Sequence, residues 1–234
     1  TVTSIRMETD DERVAAIIKA DSAASLLHTG MPFSIDVLDA ERRRITALLK
    51  EKGYYRFQKD YITFEADTAH YSTNVGVKMN ISLFRDNNSY VYTPHKQYRI
   101  GNVSFVSGAG LRLNRDELAA CDTIEWDKYR LLYKNEIPLR LNVIAKNTYI
   151  EPGELYSQSV VDRTHNSFAQ LSALRYTSLR MEERPNSSIL DCYVMFEKSK
   201  RRSLSFELEG THTAGDLGAA ASVTFSDKNL FRGS

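Results

Sequence analysis

The side chains best suited to catalysis or metal binding are scattered along this sequence rather than gathered into motifs. None of the five histidines stands at metal-ligand spacing from another histidine or from a cysteine. Asp191 directly precedes Cys192, but neighbouring residues of a strand face opposite ways and do not form a catalytic pair. We therefore expect no enzyme activity, no metal site and no cofactor. The histidines are His28, His70, His95, His165 and His212.

Charge and cysteine content set further limits on the partners and compartment of the chain. The 31 Lys and Arg residues almost balance the 30 Asp and Glu residues, so nothing in the composition indicates nucleic acid as a partner. Two cysteines, Cys121 and Cys192, are too few for a disulfide framework, and we expect one buried thiol and one loop thiol. The sequence has no run of about 18 apolar residues, so no transmembrane helix is expected. Because it begins without Met and without a signal peptide, we expect it to be part of a longer protein.

Residues 1–96 carry the pattern of one strand, two helices and two further strands. A strand is predicted over residues 2–7, one helix begins at Asp10 or Asp11, and a second begins near Ser34 and ends at Gly53. Strands follow over residues 57–65 and 75–83, the latter with the strict alternation of a half-buried strand. Apolar residues recur at helical spacing in the two helices: Val14, Ile17 and Ile18, then Leu38, Ile45, Leu48 and Leu49.

Residues 97–200 repeat this order in a diverged form. A strand is predicted over residues 99–106, a helix from about Ser157, and two strands over residues 176–182 and 190–196. The stretch 107–150 is longer than such a repeat needs and contains a helix candidate near residues 139–145. Each repeat predicts two helices layered on one face of a three-stranded sheet.

The last segment, residues 201–234, has a different pattern. Leu204, Phe206 and Leu208 alternate with small or polar residues, and a second alternating run reaches Phe225 after a turn. This pattern predicts an antiparallel hairpin with one apolar face. Strands of membrane barrels and edges of soluble sheets both show this alternation, and the pattern alone leaves both open.

Several short motifs, taken in order, resemble the assembly-factor family of BamA and TamA type. Its periplasmic modules, called POTRA modules, are similar to the runs Gly30-Met31-Pro32-Phe33-Ser34 and Gly53-Tyr54-Tyr55, and to Pro152-Gly153-Glu154-Leu155-Tyr156-Ser157 in the second repeat. The run Tyr98-Arg99-Ile100-Gly101-Asn102-Val103 resembles the opening strand of such a module. The tail Ser226-Asp227-Lys228-Asn229-Leu230-Phe231-Arg232-Gly233 resembles the stretch after the first barrel hairpin.

The resemblance implies a fold class and a domain layout. The fold would be α+β, with tandem POTRA-like β-α-α-β-β modules followed by the first β-hairpin of a membrane barrel. The modules would occupy residues 1–96 and 97–200, the second with an insertion, and the barrel hairpin residues 201–234. The long stretch 107–150 departs from a minimal module, and all but the first hairpin of the barrel is absent.

The resemblance also implies a function that involves no catalysis. Such proteins receive unfolded outer-membrane proteins in the periplasm and help them insert, and accessory assembly subunits are further possible partners. Contact with the lipid bilayer would be made through the missing barrel, so the chain would lie at the outer membrane, mainly on its periplasmic side. An exposed sheet edge offers unpaired backbone groups to which an extended client adds as a strand.

In POTRA folds the second strand is typically the exposed edge, and this implies the candidate site residues. The client-binding edges would lie on residues 57–65 and 176–182, and the first barrel strand on residues 203–209. The edge residues are Phe57, Lys59, Tyr61, Ile62 and Phe64, with Tyr176, Leu179 and Met181 in the second repeat; the barrel-strand residues are Leu204, Phe206 and Leu208.

Three other interpretations of the sequence stay open. One is the POTRA part of a polypeptide-secretion transporter, and another is a scaffold module that docks accessory subunits. A third, a hydrolase or sugar-binding domain, predicts a concave pocket with converging polar groups. We expect Trp126, Tyr129 and Tyr133 to pack the insertion onto the body of the module rather than to line a client groove.

Overall fold

The strands and helices follow the order that the sequence predicts, with additional elements in the insertion and a short strand pair formed by Phe84–Arg85 and Tyr92–Thr93. The computed structural model describes residues 1–68, 74–85, 91–108, 115–134, 137, 139–199, 202–213 and 216–227; His70 and residues 228–233 of the tail motif lie outside them. The strands are β1 (Val2–Thr9), β2 (Ile62–Thr68), β3 (Val75–Ile81), β4 (Phe84–Arg85), β5 (Tyr92–Thr93), β6 (Arg99–Ser107), β7 (Asp122–Trp126), β8 (Tyr129–Tyr133), β9 (Leu174–Glu183), β10 (Ile189–Lys198), β11 (Arg202–Thr213) and β12 (Asp216–Asp227). The α-helices are α1 (Glu12–Ala20), α2 (Ile35–Glu51), α3 (Arg115–Ala119), α4 (Leu141–Lys146) and α5 (Gln158–Ala169).

The chain divides into two compact units whose segments alternate along the sequence. The first unit consists of Thr1–Ile100, Gly153–Val160 and Glu183–Leu190. The second consists of Gly101–Pro152, Val161–Glu182 and Asp191–Ser234. Compact units and sequence repeats are therefore different divisions of the chain, and the boundaries 1–96, 97–200 and 201–234 stay a prediction about the repeats.

The first repeat is a three-stranded sheet in the order β1-β3-β2 with α1 and α2. β3 lies parallel to β1 and antiparallel to β2. Its alternation is strict, because Val75, Val77, Met79 and Ile81 are buried while the residues between them are half-buried. These side chains form a core with the apolar stripes of both helices, including Val14, Ile18, Ile45 and Leu49.

Two buried carboxylates fix the helices of the first repeat. Asp11 caps α1 by accepting the Val14 backbone N–H at 3.2 Å, as the acidic run at residues 10–12 predicts. Its other oxygen accepts the His95 backbone N–H at 2.7 Å. Glu41 on α2 accepts hydrogen bonds from Ser25 and from the Leu26 backbone, both at 2.9 Å. The connection between the two helices is thus tied to α2.

The second repeat has a five-stranded sheet in the order β7-β8-β6-β10-β9. The insertion supplies two of the strands, because β8 pairs parallel with β6 and antiparallel with β7. The sequence predicted neither strand, and it placed the insertion helix at residues 139–145 where α4 spans Leu141–Lys146. With β6, α4, α5, β9 and β10, the repeat keeps the strand-helix-helix-strand-strand order of the first.

Aromatic packing explains how the insertion is held within the second unit. The ring of Phe105 on β6 stacks on Phe168 of α5, with the centroids 5.7 Å apart. Trp126 and Tyr129 approach the same ring at 5.9 and 5.6 Å, so these residues pack the insertion as expected. Cys192 is buried and Cys121 half-buried, and both are free thiols. Burial raises the pKa of the Cys192 thiol to about 12, with a smaller contribution from Asp191.

Candidate functional site

The strand β2 lies at an edge of the first sheet. Within the described chain it pairs with β3 alone, from Ile62 opposite Ile81 to Thr68 opposite Val75. Ile62 is fully buried and Phe64 half-buried, because these side chains face the helices. Thr63 and Glu65 are exposed on the other face. One side of the β2 backbone is therefore available to another strand.

A largely apolar groove of about 410 Å³ runs between β2 and α2. Leu38 and Val77 are buried in the core beneath it, and Phe64 contacts the same core cluster. Ile35, the first residue of α2, is 74% exposed, and Phe33 just before it is 38% exposed. The residues lining the groove are Phe33, Ile35, Leu38, Asp39, Arg42, Ile62, Thr63, Phe64, Glu65, Ala66 and Val77.

Charged side chains of α2 border this groove. Asp39 accepts a hydrogen bond from Arg43 at 2.5 Å, and Lys59 lies 3.7 Å from the same carboxylate. The bond from Arg43 lowers the pKa of Asp39 against the opposing effect of desolvation, and the charges of Arg43, Lys59 and Arg42 add to the lowering. Arg42 donates to the Lys59 carbonyl at 3.2 Å. The groove thus has apolar walls and charged side chains at its border. An extended chain with alternating apolar and polar side chains fits this arrangement better than a small polar ligand does.

The structure changes the limits of the first predicted edge strand. Phe57 is 1% exposed and belongs to the core, where its ring lies 5.6 Å from that of Tyr61. Lys59 and Tyr61 lie in the short 3-10 turn Lys59–Tyr61. The strand begins only at Ile62, so Phe57, Lys59 and Tyr61 are not edge-strand residues. The reason is that Gly53, at φ +94°, ends α2 in a turn that directs the next residues into the core.

The second predicted edge lies on β9, the outermost strand of the five-stranded sheet on that side. Tyr176 is 44% exposed, whereas Leu179 and Met181 are half-buried. The guanidinium of Arg175 lies over the Tyr176 ring, 4.8 Å from its centre. Apolar and polar side chains alternate on either side of Thr177 and Ser178, where the alternation is interrupted, and the strand begins at Leu174, earlier than the sequence predicts.

The terminal strands β11 and β12 pair along their whole length as an antiparallel hairpin. Leu204 faces Phe225 across the hairpin and Phe206 faces Val223, which places the apolar residues on one face. Leu204, Phe206 and Leu208 are 55, 70 and 86% exposed. Exposed apolar rows of this kind are typical of interaction surfaces.

The sequence missed the two groove residues Phe33 and Ile35. Both stand near the start of α2 but outside the apolar stripe that begins at Leu38, so the helical pattern gave them no role. An isoleucine at the first position of a helix, off its buried face, is the signal that could have indicated them.

A second cavity, of about 390 Å³, lies in the first unit beside His95. The His95 imidazole is enclosed by the rings of Phe57 and Tyr61, each 4.7 Å away, and its Nε2 is 2.9 Å from the Ser82 carbonyl. Burial lowers the pKa of His95. These contacts fix the ring, so His95 holds its segment of the chain in place. We assign it a structural role.

Two structural features are absent from the described residues. Among them, no three His, Cys, Asp or Glu side chains come together in a group that could hold a metal ion. None of the helices in the described part of the chain is long and apolar enough to span a membrane.

No protein-family model matches the chain, and no curated protein matches its sequence. Solved structures do match. BamA from Haemophilus ducreyi lacking POTRA domains 1–3 aligns over 95% of this chain and 33% of its own length, at 11% identity and a TM-score of 0.53. This chain has a tandem POTRA-type α+β fold. It spans about a third of the length of that BamA structure, and at this identity the likeness shows the fold alone.

Two further solved structures match more weakly. Haemophilus influenzae BamA POTRA3–5 covers 84% of this chain at 10% identity, with a TM-score of 0.29. CdiB from Acinetobacter baumannii covers 99% of this chain and 35% of its own length at 9% identity, with a TM-score of 0.37. These scores carry no argument about function. Evidence on function therefore comes from the geometry of the sheet edges in the two repeats.

Proposed function

We propose that this chain is the periplasmic part of an outer-membrane protein assembly or insertion factor. It would receive unfolded β-barrel clients by β-strand augmentation and would carry out no catalysis. The observation that carries this proposal is the exposed edge of β2 beside the apolar groove of about 410 Å³.

The edge and the groove suit a client whose sequence varies. Backbone hydrogen bonds along β2 give affinity without requiring particular side chains. Alternate client side chains would enter the groove between Ile35 and Phe64, where apolar contact adds roughly 25 cal/mol per Å² buried. Such a site binds an extended, partly apolar segment in preference to a folded protein. It accepts barrel strands of different sequences.

The terminal hairpin supports the link to a membrane. Its apolar face has the alternation of a barrel strand with lipid outside and a polar lumen inside. In this proposal Leu204, Phe206 and Leu208 belong to the first barrel strand, and the rest of the barrel would anchor the protein in the outer membrane. The edge of β9, with Tyr176, Leu179 and Met181, would be a second client site. Unfolded outer-membrane proteins are the proposed partners, with accessory assembly subunits as further ones.

The test is photocrosslinking to unfolded barrel-protein peptides. A photoreactive residue replaces Thr63 on β2 in one variant and Asn80 on β3 in the other. The two residues face each other in register, so the second is a matched position on the central strand. We expect capture of the peptides at position 63 in clear excess over position 80.

Two results would count against client reception at this edge. Equal capture at both positions would indicate non-specific adhesion to the sheet face. Absence of capture at position 63 would favour the scaffold role, in which the repeats space or dock other subunits.

A further inference from the structure

The two repeats share a backbone motif that allows them to be aligned residue by residue. In the first, the Gly30 N–H donates to the Val2 carbonyl at 2.8 Å, and the Val2 N–H donates to the Met31 carbonyl at 2.9 Å. In the second, the Gly153 N–H donates to the Ile100 carbonyl and the Ile100 N–H to the Glu154 carbonyl, both at 2.8 Å. Gly30 and Gly153 also have nearly equal positive φ angles, +90° and +87°. Val2 therefore corresponds to Ile100.

Counted at a constant offset past the register shift that β1 shows between Val2 and Ser4, this correspondence places residues 5–9 of β1 at the positions of residues 103–107 of β6. The side-chain environments agree with it. Met7 contacts the helix-side core cluster of the first repeat, as Phe105 contacts Phe168 in the second. Glu8 lies on the opposite, exposed face, and its counterpart Val106 is on the face away from Phe168.

In the second repeat this stretch of β6 is paired on its outer side by a strand from the insertion. Residues 103–107 run parallel to residues 129–133 of β8, with Phe105 opposite Leu131 and Val106 opposite Leu132. The fold therefore accepts a parallel strand at this edge. In the first repeat, the strand pairing that the structure describes for β1 is with β3 alone.

The exposed side of β1 shows what such a strand would contact. Ile5 and Met7 are half-buried beside the core, whereas Arg6 and Glu8 are exposed. The Lys78 ammonium on the outer face lies 2.8 Å from the Glu8 carboxylate. A strand added here would meet an apolar row on its helix side and charged groups on its outer side.

We propose that the outer edge of β1, over residues 5–9, is a strand-binding site separate from β2, and that it accepts an extended segment of a partner protein running parallel to β1. That segment would alternate apolar side chains towards Ile5 and Met7 with polar side chains towards Arg6 and Glu8. The site does not depend on client binding at β2.

The probe is a biotinylated peptide of residues 128–134, taken from β8, in which Leu132 is changed to glutamine (L132Q) to suit the charged outer face. Photoreactive residues replace Glu8 in one variant of the full chain and Glu65 in the other. These glutamates are a matched pair, because both are exposed and both lie near Lys78, at 2.8 and 3.8 Å. One is on β1 and the other on β2.

We expect labelling at position 8 in several-fold excess over position 65. The parallel register predicts that the adduct forms at or beside peptide position 132, whereas an antiparallel strand would place it in the N-terminal half. Two peptides N-methylated at alternate residues, 129/131/133 or 130/132/134, separate strand pairing from adhesion. Only one of them should lose labelling, because one edge of the peptide carries the backbone bonds.

Several outcomes would overturn the proposal. These are labelling at position 65 alone, equal labelling at both positions, no labelling, or equal labelling by both methylated peptides. Crosslinking between two copies of the chain at position 8 in the absence of peptide would also overturn the proposal, because the edge would then bind a second copy rather than a partner protein.

Discussion

At the scale of single residues, Glu41 is a buried charge of the first repeat that several hydrogen bonds hold in place. It is 2% exposed and accepts hydrogen bonds from Arg44, from Ser25 and from the Leu26 backbone, while Arg44 also pairs with Asp21. Desolvation alone would raise the pKa of Glu41, but these hydrogen bonds outweigh it and the pKa is lowered from 4.5. The carboxylate therefore joins the connection between the helices to α2, whose start borders the groove.

Replacing Glu41 should destabilise the fold in a manner that depends on pH. We expect Glu41→Ala to cost about 3 kcal/mol, since it leaves the partly buried Arg44 without its main partner. Because the folded pKa is depressed, the stabilisation is present above the unfolded value of 4.5 and is lost as pH falls through the folded pKa. The free energy of unfolding, measured with urea between neutral pH and pH 3, should therefore fall less steeply with decreasing pH for Glu41→Gln than for the unchanged chain.

The exposed Glu65 provides the control for that series. Glu65→Gln removes an exposed acid on the outer face of β2, and Glu41→Gln should flatten the fall of the free energy of unfolding at low pH more than Glu65→Gln does. If the free energy of unfolding falls equally at low pH in the unchanged chain and in the Glu41→Gln variant, Glu41 is not the group whose protonation destabilises the fold.

Residue patterns predicted some site residues and misplaced others for physical reasons. Ile62 and Phe64 lie on a strand, as the imperfect alternation of residues 57–65 predicts, because alternation is a local signal; their edge position was predicted from the resemblance alone. Phe57 was assigned to the same strand because it opens the imperfectly alternating run of residues 57–65, whereas its position is set by burial in the core after the turn at Gly53. Ile35 was missed because its groove exists only once α2 lies beside β2.

At the scale of elements, the strand-helix-helix-strand-strand order could be predicted for both repeats. Long periodic segments such as α2 and β3 carry their own signal, and Asp11 marks the start of α1. The strands β7 and β8 could not be predicted, since five-residue strands within an irregular insertion have little periodicity. Their existence depends on pairing with β6, a contact distant in sequence.

The terminal hairpin has a property that belongs to the element as a whole. Its apolar face is exposed by more than half at each of Leu204, Phe206 and Leu208. We expect the chain to bind lipid vesicles through this face. The double variant Phe206→Ser with Leu208→Ser should bind roughly a hundredfold more weakly, because each of the two apolar side chains contributes about 1.5 kcal/mol. Vesicle flotation measures the bound fraction.

The matched control for this experiment changes the other face of the same strand. Glu207→Ser with Glu209→Ser alters two residues that alternate with the apolar row and should not weaken flotation. Equal loss in both double variants, or none in either, would mean that the apolar face does not carry the membrane contact.

At the scale of the whole molecule, the two sheets differ in which edges they leave exposed. In the first, no described strand pairs with the outer side of β2 or with the outer side of β1 over residues 5–9, whereas in the second the insertion moves the corresponding outer edge from β6 to β7. The sequence predicted β2 and β9 as edges through the resemblance to POTRA modules, and the sheet orders place both at edges. The shift caused by the insertion could not be foreseen, because strand order follows from long-range pairing.

The central claim is that the edge of β2 receives extended client strands, and amide hydrogen exchange of the full chain tests it most directly. Exchange is compared with and without an unfolded barrel-protein peptide. The account predicts slower exchange within residues 62–68 when the peptide is bound, since an added strand covers the outward amides of β2. Unchanged exchange in this strand, with the peptide bound elsewhere on the chain, would contradict it.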